Sequence, residues 1–253
     1  MTWDVAYEVV NQNGPGPFVF TCDHASNALP DAVPDLGVTA ADMLRHIAWD
    51  IGAAEITRHL AKTFNAPAIL CGTSRLVIDC NRQLHDPALI PGVSDGTAVP
   101  ANLKLSAAQR EQRIRDYFVP YHTACRQIVE SKCRQGQRPL FVAVHSMTEI
   151  MNGAYRPWQI ALSSNDKRDA TDVLLAALRL APELCVGDNQ PYDMDPVQDY
   201  STPEHALSRG LPYIQVEFRQ DLISTSEGQQ HYARIFADAL SSVWPMQQLH
   251  YRP

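Results

Sequence analysis

The chain has 253 residues, of which 45% are hydrophobic and 19% are charged, a composition that excludes a disordered or collagen-like protein. Its net charge is −7 and its lysines and arginines form no basic cluster, which argues against a nucleic-acid partner. No apolar stretch reaches the ~18 residues that a membrane-spanning helix needs, so we expect no membrane partner.

The N-terminus lacks the basic and then apolar pattern of a secretory signal. The six cysteines show no CxxC spacing, which favours buried thiols in a reducing compartment. From these features we expect a cytoplasmic protein. The length fits a single α/β domain over residues 1–253.

The first clear strand is predicted at residues 17–22, where an apolar run ends in a polar cluster. Its β-branched and aromatic residues are typical of a strand that is buried on both faces. Asp23, His24, Ser26 and Asn27 follow it directly. Because parallel α/β sheets bind ligands beyond the carboxyl ends of their strands, this cluster predicts part of a site.

A helix is predicted over residues 40–64, in one or two pieces. Thr39 and Asp42 have the spacing of a helix start, and the apolar residues after them repeat with a period near 3.6. In such a helix His46 and Asp50, four residues apart, would share a face.

A second strand is predicted at residues 66–71, and residues 74–82 then alternate between polar and apolar. This alternation predicts either a half-buried strand or an extended segment of an active site. Arg75 and Arg82 stand at its two ends.

A long amphipathic helix is predicted over residues 107–135. Ser106 is its expected N-cap, Pro120 interrupts it, and Gly136 ends it. This helix is interpreted as structural.

Two later strands carry polar residues to their ends. The strand predicted at residues 139–149 brings His145 and Ser146, and the strand at 212–219 places Glu217 and Arg219 on one face. Two long loops rich in turn residues are candidate lids over a site, residues 85–100 and 185–203.

Two strand-end histidines with an oxygen ligand are the donors that catalytic zinc prefers, because such sites use three protein ligands and leave one position open. His24 and His145 are the candidate histidines, and Glu217 is the candidate for moving a proton between water and the leaving amine. The third ligand is left open among three residues: Asn27, Asp50 and Asp23.

These residues lie in motifs that resemble the N-formylglutamate amidohydrolase family. The motifs are Asp23-His24-Ala25-Ser26-Asn27, His46-x-x-Trp49-Asp50-x-Gly52, Ser74-Arg75-x-Val77-x-Asp79-x-Asn81-Arg82, Val144-His145-Ser146-Met147 and Glu217-x-Arg219-x-Asp221-Leu222. The resemblance implies a fold similar to zinc carboxypeptidases and aminoacylase-type deacylases. That fold is a phosphorylase/hydrolase-like three-layer sandwich, with a mixed, mostly parallel sheet between helices.

The resemblance also implies roles for individual residues. His24 and His145 match the family's metal histidines, and Glu217 matches the catalytic glutamate. Where the relatives have a glutamate three residues after the first histidine, this chain has Asn27. We therefore expect Asp50 to be the third zinc ligand, with Asn27 as the alternative, because a carboxylate restores the lost charge.

The implied reaction is hydrolysis of the formyl amide of N-formyl-L-glutamate to formate and L-glutamate, a late step of histidine degradation. Other N-acyl acidic amino acids fit the same chemistry. The expected substrate contacts are Arg75, Arg82, Asn81, Ser146 and Arg219, with Arg156 behind them. The alternatives are a zinc carboxypeptidase, a peptidoglycan amidase-like hydrolase, or a non-catalytic protein that binds small carboxylates.

Overall fold

The computed structural model describes the chain from residue 6 to residue 250, with side chains described as far as residue 242. The strands are β1 (Tyr7–Val10), β2 (Phe18–Cys22), β3 (Ala68–Cys71), β4 (Val93–Ser94), β5 (Thr97–Ala98), β6 (Leu140–Met147), β7 (Ile150–Met151), β8 (Ala154–Tyr155), β9 (Ile160–Ser163), β10 (Val186–Asp188) and β11 (Tyr213–Arg219). The α-helices are α1 (Ala53–Thr63), α2 (Pro100–Leu103), α3 (Ala107–Arg113), α4 (Val119–Arg134), α5 (Asp169–Leu178), α6 (Ser201–His205) and α7 (Ser226–His250).

Seven strands form one mixed sheet in the order β1-β3-β2-β6-β11-β9-β10. The four central strands, β3, β2, β6 and β11, run parallel, whereas β1 and β9 pair antiparallel with β3 and β11. Two small hairpins, β4–β5 and β7–β8, lie outside this sheet. The predicted α/β class with a mixed, mostly parallel sheet is confirmed.

Helices cover both faces of the sheet. Alternate residues of β2 show the division, because Phe18 and Phe20 pack in one core with α1, α5 and α7, while Val19 packs in the other with α4. Both faces of the central strands are therefore buried, which explains their continuous apolar sequences. No helix in the described part of the chain is long and apolar enough to cross a membrane.

The helix predicted over residues 40–64 is wrong in its first half. Residues Asp42–Leu44 form one 3-10 turn, irregular turns follow, and the α-helix begins only at Ala53. Gly52 precedes α1 with a φ of 81°, and a Cβ there would lie 2.2 Å from the Ile223 carbonyl oxygen. This close approach requires glycine and prevents the helix from continuing towards its N-terminus.

Asp50 is positioned by the loop before α1 and not by a helix. His46 and Asp50 lie in irregular turns, so they do not share a helical face. The Asp50 backbone N–H donates to the His24 carbonyl oxygen at 2.9 Å. The loop is thereby attached to the chain just beyond the end of β2, with the Asp50 side chain beside it.

Two other segments were predicted with alternatives or interruptions. Residues 74–82 contain no strand and form successive turns, so they are the irregular segment that was one of the two alternatives. The capping box between Ser106 and Gln109 is present, and α3 continues into α4 through a π-helical turn, Ile114–Phe118. Pro120 lies in the first turn of α4, where its missing N–H is tolerated, so it does not break the chain of helical turns.

Candidate active site

The carboxyl ends of β2, β6 and β11 meet at one edge of the sheet. His145 and Glu217 are paired residues of the adjacent strands β6 and β11, and His24 follows β2 by two residues. All three side chains line a cavity of about 270 Å³. Parallel neighbouring strands thus bring together side chains that are far apart in the sequence.

His24, Asp50 and His145 form a compact group, which we call the cavity cluster. One ligand atom from each lies within 4.8 Å of the others. Nδ1 of His24 is 3.2 Å from Asp50 Oδ2, and Nδ1 of His145 is 3.0 Å from the same oxygen. Both rings therefore present Nδ1 to one carboxylate oxygen.

The other ring nitrogen of His24 is held by a carboxylate. Its Nε2 is 2.7 Å from Asp79 Oδ1, while Arg75 Nη2 donates to Asp79 Oδ2 at 2.7 Å and the Asn81 backbone N–H donates to Oδ1 at 2.9 Å. A carboxylate behind a histidine fixes the ring and its tautomer and raises its strength as a metal ligand. Asp79 therefore directs Nδ1 of His24 towards the centre of the cluster.

His145 has a similar carboxylate behind it. Asp23 Oδ2 lies 3.6 Å from Nε2 of His145, an ion-pair distance that is longer than a hydrogen bond. Asp23 Oδ1 accepts hydrogen bonds from the hydroxyl groups of Tyr121 and Ser201, each at 2.6 Å. Helices α4 and α6 therefore hold the carboxylate that faces this ring.

The cavity cluster attracts positive charge. Burial, the strongest influence, and Arg75 lower the pKa of His24, but Asp79 and Asp50 outweigh them and raise it to about 10. Burial also opposes the charged form of His145, whose pKa is nevertheless raised by its hydrogen bond to Asp50 and by Glu217. A proton and a metal cation compete for the same Nδ1 and Oδ2 atoms, so this environment also favours a cation.

The donor set fits zinc. Two imidazole nitrogens and one carboxylate oxygen converge beside an accessible cavity, and catalytic zinc sites use three such ligands with one position open. His24 has the hydrogen-bonded carboxylate that is typical behind a metal-binding histidine, and His145 has a carboxylate at 3.6 Å on the same side of its ring.

Glu217 faces the same cavity and is 7% exposed. Burial, the strongest influence, raises its pKa together with Asp50, and this exceeds the opposing effects of His145, His24 and Arg75, so the pKa is about 7. Among the hydrogen bonds of the described residues, none involves the Glu217 carboxylate. Such a group is able to accept and donate a proton near neutral pH.

The structure also shows the surroundings of Asn27. Its Nδ2 donates to the Met43 carbonyl oxygen at 2.8 Å, and Asn27 is not among the described residues that line the cavity. Asp50 therefore joins the two histidines, whereas Asn27 is used to anchor a loop.

Among the predicted substrate contacts, Ser146, Arg75, Arg82 and Asn81 line the cavity. The Ser146 hydroxyl is buried and lacks a hydrogen-bond partner within the described chain. Arg75 contacts Asp79 and also lies 3.5 Å from Asp50, so its charge is already shared by two carboxylates.

Arg82 and Asn81 contact the loop after β10. Arg82 Nη1 donates to Asp199 Oδ1 at 3.1 Å, and the Asn81 amide donates to the same oxygen at 3.2 Å. The side-chain oxygen of Asn81, Oδ1, accepts from the backbone N–H groups of Tyr200 and Ser201 at 3.0 Å each. Asn81 therefore shapes the cavity wall with all its polar atoms.

Arg219 is placed elsewhere. Its guanidinium group makes two hydrogen bonds to Asp221, at 2.8 and 3.1 Å, and lies over the Tyr155 ring. It is not one of the residues that line the cavity in the described part of the chain. Arg156, whose guanidinium lies over the Tyr192 ring, is also not one of them.

Several cavity contacts had no predicted role. Asp79 had a sequence signal, since it lies between the two arginines of one motif, but nothing local indicates that it reaches His24. Tyr121 lies in a helix that was interpreted as structural, although it holds Asp23. The two predicted lid loops both supply cavity residues, namely Ser94 and Asp95 from one and Tyr192 and Asp199 from the other.

The fold and the site define the class of protein. A mixed, mostly parallel sheet between helices carries two histidines and a glutamate at its strand ends and an aspartate on a neighbouring loop, all beside one cavity, and this is the arrangement of an α/β enzyme. The sequence model of the N-formylglutamate amidohydrolase family matches residues 16–224, and the chain belongs to that family. It is accordingly an amidohydrolase, an enzyme that hydrolyses amide bonds.

Two crystal structures are similar over nearly the whole chain. A gene product of Agrobacterium tumefaciens has a TM-score of 0.93 and 29% identity, covering 97% of each chain. An N-formylglutamate amidohydrolase from Ralstonia eutropha JMP134 has a TM-score of 0.71 and 20% identity, covering 96% of this chain and 98% of that one. The second similarity concerns the fold alone.

A curated phosphate acyltransferase of Chlamydia caviae is 40% identical over 53 residues. That stretch is 21% of this chain and spans only 17% of the length of the acyltransferase. So short a local similarity carries no conclusion about activity.

Proposed function

We propose that the chain hydrolyses the N-formyl amide of N-formyl-L-glutamate, or of a closely related N-acyl acidic amino acid, with the help of a zinc ion. The observation that carries the proposal is the position of the Glu217 carboxylate. It lies in one cavity with His24, Asp50 and His145, and has a pKa of about 7.

The cavity cluster is the proposed metal site. His24 and His145 would bind the ion through Nδ1, and Asp50 through Oδ2, because these are the atoms that converge. A bound zinc ion supplies Lewis acidity, which polarises a carbonyl group and makes water more acidic. Asp79 keeps the His24 ring oriented for this task through its hydrogen bond to Nε2, and the Asp23 carboxylate faces Nε2 of His145 at 3.6 Å.

Glu217 performs the proton transfers in the proposed reaction. Its carboxylate accepts a proton from the attacking water as the new C–O bond forms at the formyl carbon. It then donates that proton to the amide nitrogen as the C–N bond breaks, which releases formate and the amino acid. A pKa near 7 suits both steps, because the group must exist in both forms at neutral pH.

The size and charge of the cavity support a small anionic substrate. Its volume of about 270 Å³ admits a small molecule, and Arg82 and Arg75 line it although the chain as a whole carries a charge of −7. Arg82 is the proposed partner of the substrate side-chain carboxylate, since it is paired with one carboxylate, that of Asp199, whereas Arg75 is paired with two, those of Asp79 and Asp50. The Ser146 hydroxyl, which is buried and without a partner in the described residues, is proposed to donate to the substrate as well.

The proposed setting is histidine degradation in the cytoplasm. All six cysteines are free thiols, and four of them are buried. Free thiols in this number support a reducing compartment.

The test is to measure formate release and bound zinc for Glu217→Gln. We expect this variant to hold as much zinc as the wild type, because Glu217 is not a member of the cavity cluster, while kcat falls by roughly 10²–10⁴-fold. Glu183→Gln, at an exposed glutamate, is the matched control and should leave kcat unchanged. Full turnover by Glu217→Gln would disprove the mechanism.

The substrate class has its own comparison. N-formyl-L-glutamine has the same shape as N-formyl-L-glutamate but no side-chain charge, so we expect a kcat/KM lower by about 10–100-fold if the carboxylate is bound by an arginine. Equal kcat/KM values for the two compounds would still agree with an amidohydrolase, but they would disprove the proposed recognition of an acidic side chain.

A further inference from the structure

A second group of metal-binding side chains lies in the protein core, away from the cavity. It consists of His122 and Cys125 on α4 and His205 at the end of α6, which we call the core cluster. One ligand atom from each lies within 4.8 Å of the others. Their exposures are 2%, 0% and 0%, and none of them lines the active-site cavity in the described structure.

The hydrogen bonds of the core cluster show which atoms are available. His122 Nε2 is 2.9 Å from the Cys80 carbonyl oxygen, which accepts a hydrogen bond only if Nε2 carries the proton. His122 Nδ1 then keeps its lone pair, and it faces Nε2 of His205 at 3.0 Å. A ring N–H held by a backbone carbonyl is the arrangement that metal-binding histidines have.

Hydrogen bonding alone leaves the core cluster incompletely satisfied. His205 Nδ1 is buried and has no hydrogen-bond partner among the described residues. The His205 side chain therefore makes one hydrogen bond, to His122. The surroundings are aromatic, since Phe118 packs on the ring of His122 and Phe141 on that of His205. The atoms that face each other in the cluster are Nε2 of His205 and Nδ1 of His122, and both present lone pairs when the proton of His205 lies on its Nδ1.

The spacing of the three side chains suits a shared ligand. His122 and Cys125 are three residues apart on α4 and so lie on the same helical face, and His205 approaches them from α6. Two imidazoles and one thiol, with no carboxylate, are donors that select zinc or copper rather than magnesium or calcium. This donor set also differs from that of the cavity cluster, which includes Asp50.

We propose that His122, Cys125 and His205 form a second metal site, which binds a zinc-type transition-metal ion and joins α4 to α6. On binding, the proton between the two rings moves from Nε2 of His205 to its Nδ1, and the Cys125 thiol loses its proton to solvent, so that the sulfur becomes a thiolate ligand. The site is structural, because the cluster is closed to the cavity. It lies beside the elements that carry Tyr121 and Ser201, the two residues that hold Asp23 behind His145.

The test uses the full-length chain with the cavity cluster removed by His24→Ala and His145→Ala. This protein is loaded with Co²⁺ or Zn²⁺, freed of excess ion, and analysed for metal content and for absorption. We expect about one ion per chain, and the Co²⁺ form should show the charge-transfer absorption of a cobalt–thiolate bond. We also expect Zn²⁺ to raise its Tm by several degrees, because an ion that binds only the folded state stabilises it.

Two further variants in that background assign the ligands. Cys125→Ser should lose the ion, the absorption and the rise in Tm, whereas Cys133→Ser, at an exposed cysteine of the same helix, should keep all three. His205→Gln keeps every thiol, so loss of the absorption in this variant identifies the core cluster even if Cys125→Ser does not fold. The proposal is overturned if the His24→Ala, His145→Ala protein binds no ion, or if the absorption survives in both Cys125→Ser and His205→Gln.

Discussion

The cavity cluster and the core cluster each contain two buried histidines, yet their histidines have opposite properties. Asp79 and Asp50 overcome burial and raise the pKa of His24 to about 10, whereas burial, with help from Arg209 and Arg126, lowers the pKa of His205 to about 3. Burial by itself opposes a charged histidine in both places. The carboxylates that face the cavity cluster and not the core cluster therefore decide whether the pKa of a buried histidine is raised or lowered.

The surroundings of the two clusters also differ, in keeping with a proposed catalytic role for the first and a proposed structural role for the second. The cavity cluster lies beside a space of about 270 Å³ together with Glu217 and two arginines. His122 in the core cluster instead packs against the rings of Phe118 and Tyr200. Among the described residues, a cavity and a carboxyl group with a pKa of about 7 lie beside the first cluster and not beside the second.

One short segment serves both clusters. The Asp79 side chain contacts Nε2 of His24, and the carbonyl group of the next residue, Cys80, contacts Nε2 of His122. The two clusters are thus joined through two consecutive residues, one by a charged side chain and the other by the backbone.

The largest expected effect separates the two clusters by activity. We expect His145→Gln to lower kcat/KM for N-formyl-L-glutamate by roughly 10³-fold, because the loss of a metal ligand removes several kcal/mol of transition-state stabilisation. The matched variant His205→Gln should keep its turnover when assayed well below its Tm. The measurement is the rate of formate release by both variants. Equal losses of kcat/KM would contradict the division into a catalytic and a structural cluster.

A smaller effect is expected from the carboxylate behind His24. Asp79→Asn keeps the size of the side chain but removes the charge that orients the ring, so we expect zinc affinity at the cavity cluster to fall by about 10–100-fold. Zinc titration against a chelator measures this, with Asp31→Asn at an exposed position as the control. An unchanged affinity would mean that Asp79 acts mainly through its contact with Arg75.

The smallest effect concerns the arginines near each cluster. Arg82→Ala should raise KM for N-formyl-L-glutamate by about 10-fold, since it removes a charged partner of the substrate. Arg126→Ala, near the core cluster and paired with Glu204 at the surface, should leave KM unchanged. Steady-state kinetics on both variants tests whether the substrate carboxylate is bound by an arginine of the cavity. An unchanged KM in Arg82→Ala would reject the proposed role of Arg82 in substrate binding.

The strands could be predicted closely from the sequence. The strands predicted at 17–22, 66–71, 139–149 and 212–219 match β2, β3, β6 and β11 with ends that differ by at most two residues. Strands buried on both faces need continuous apolar residues, and the change to polar residues marks where each one ends. His24, His145 and Glu217 could be placed together on that basis, because parallel strands share an edge.

The helix at residues 40–52 and the position of Arg219 could not be predicted in the same way. Apolar residues at helical spacing also arise in turns that pack against a core, as buried Ile47 does. Arg219 follows the period of its strand, but Asp221, two residues later, takes up its guanidinium group. Both cases depend on a competing local contact or close approach that periodicity does not contain.

The amino-acid sequence by itself determined the strand ends at which two histidines and a glutamate meet, because these follow from short-range patterns of apolar and polar residues. The family, and with it the mixed sheet, followed instead from the motifs that resemble the N-formylglutamate amidohydrolases. The sequence favoured Asp50 over Asn27 as the third member of the cavity cluster, but only the tertiary structure brings the Asp50 carboxylate beside the two histidines. This placement rests on long-range contacts: the Asp50 N–H bonds to the His24 carbonyl, and Gly52 passes close to Ile223. The core cluster had no sequence signal for the same reason, since His122 and His205 meet only when α4 and α6 pack on the sheet.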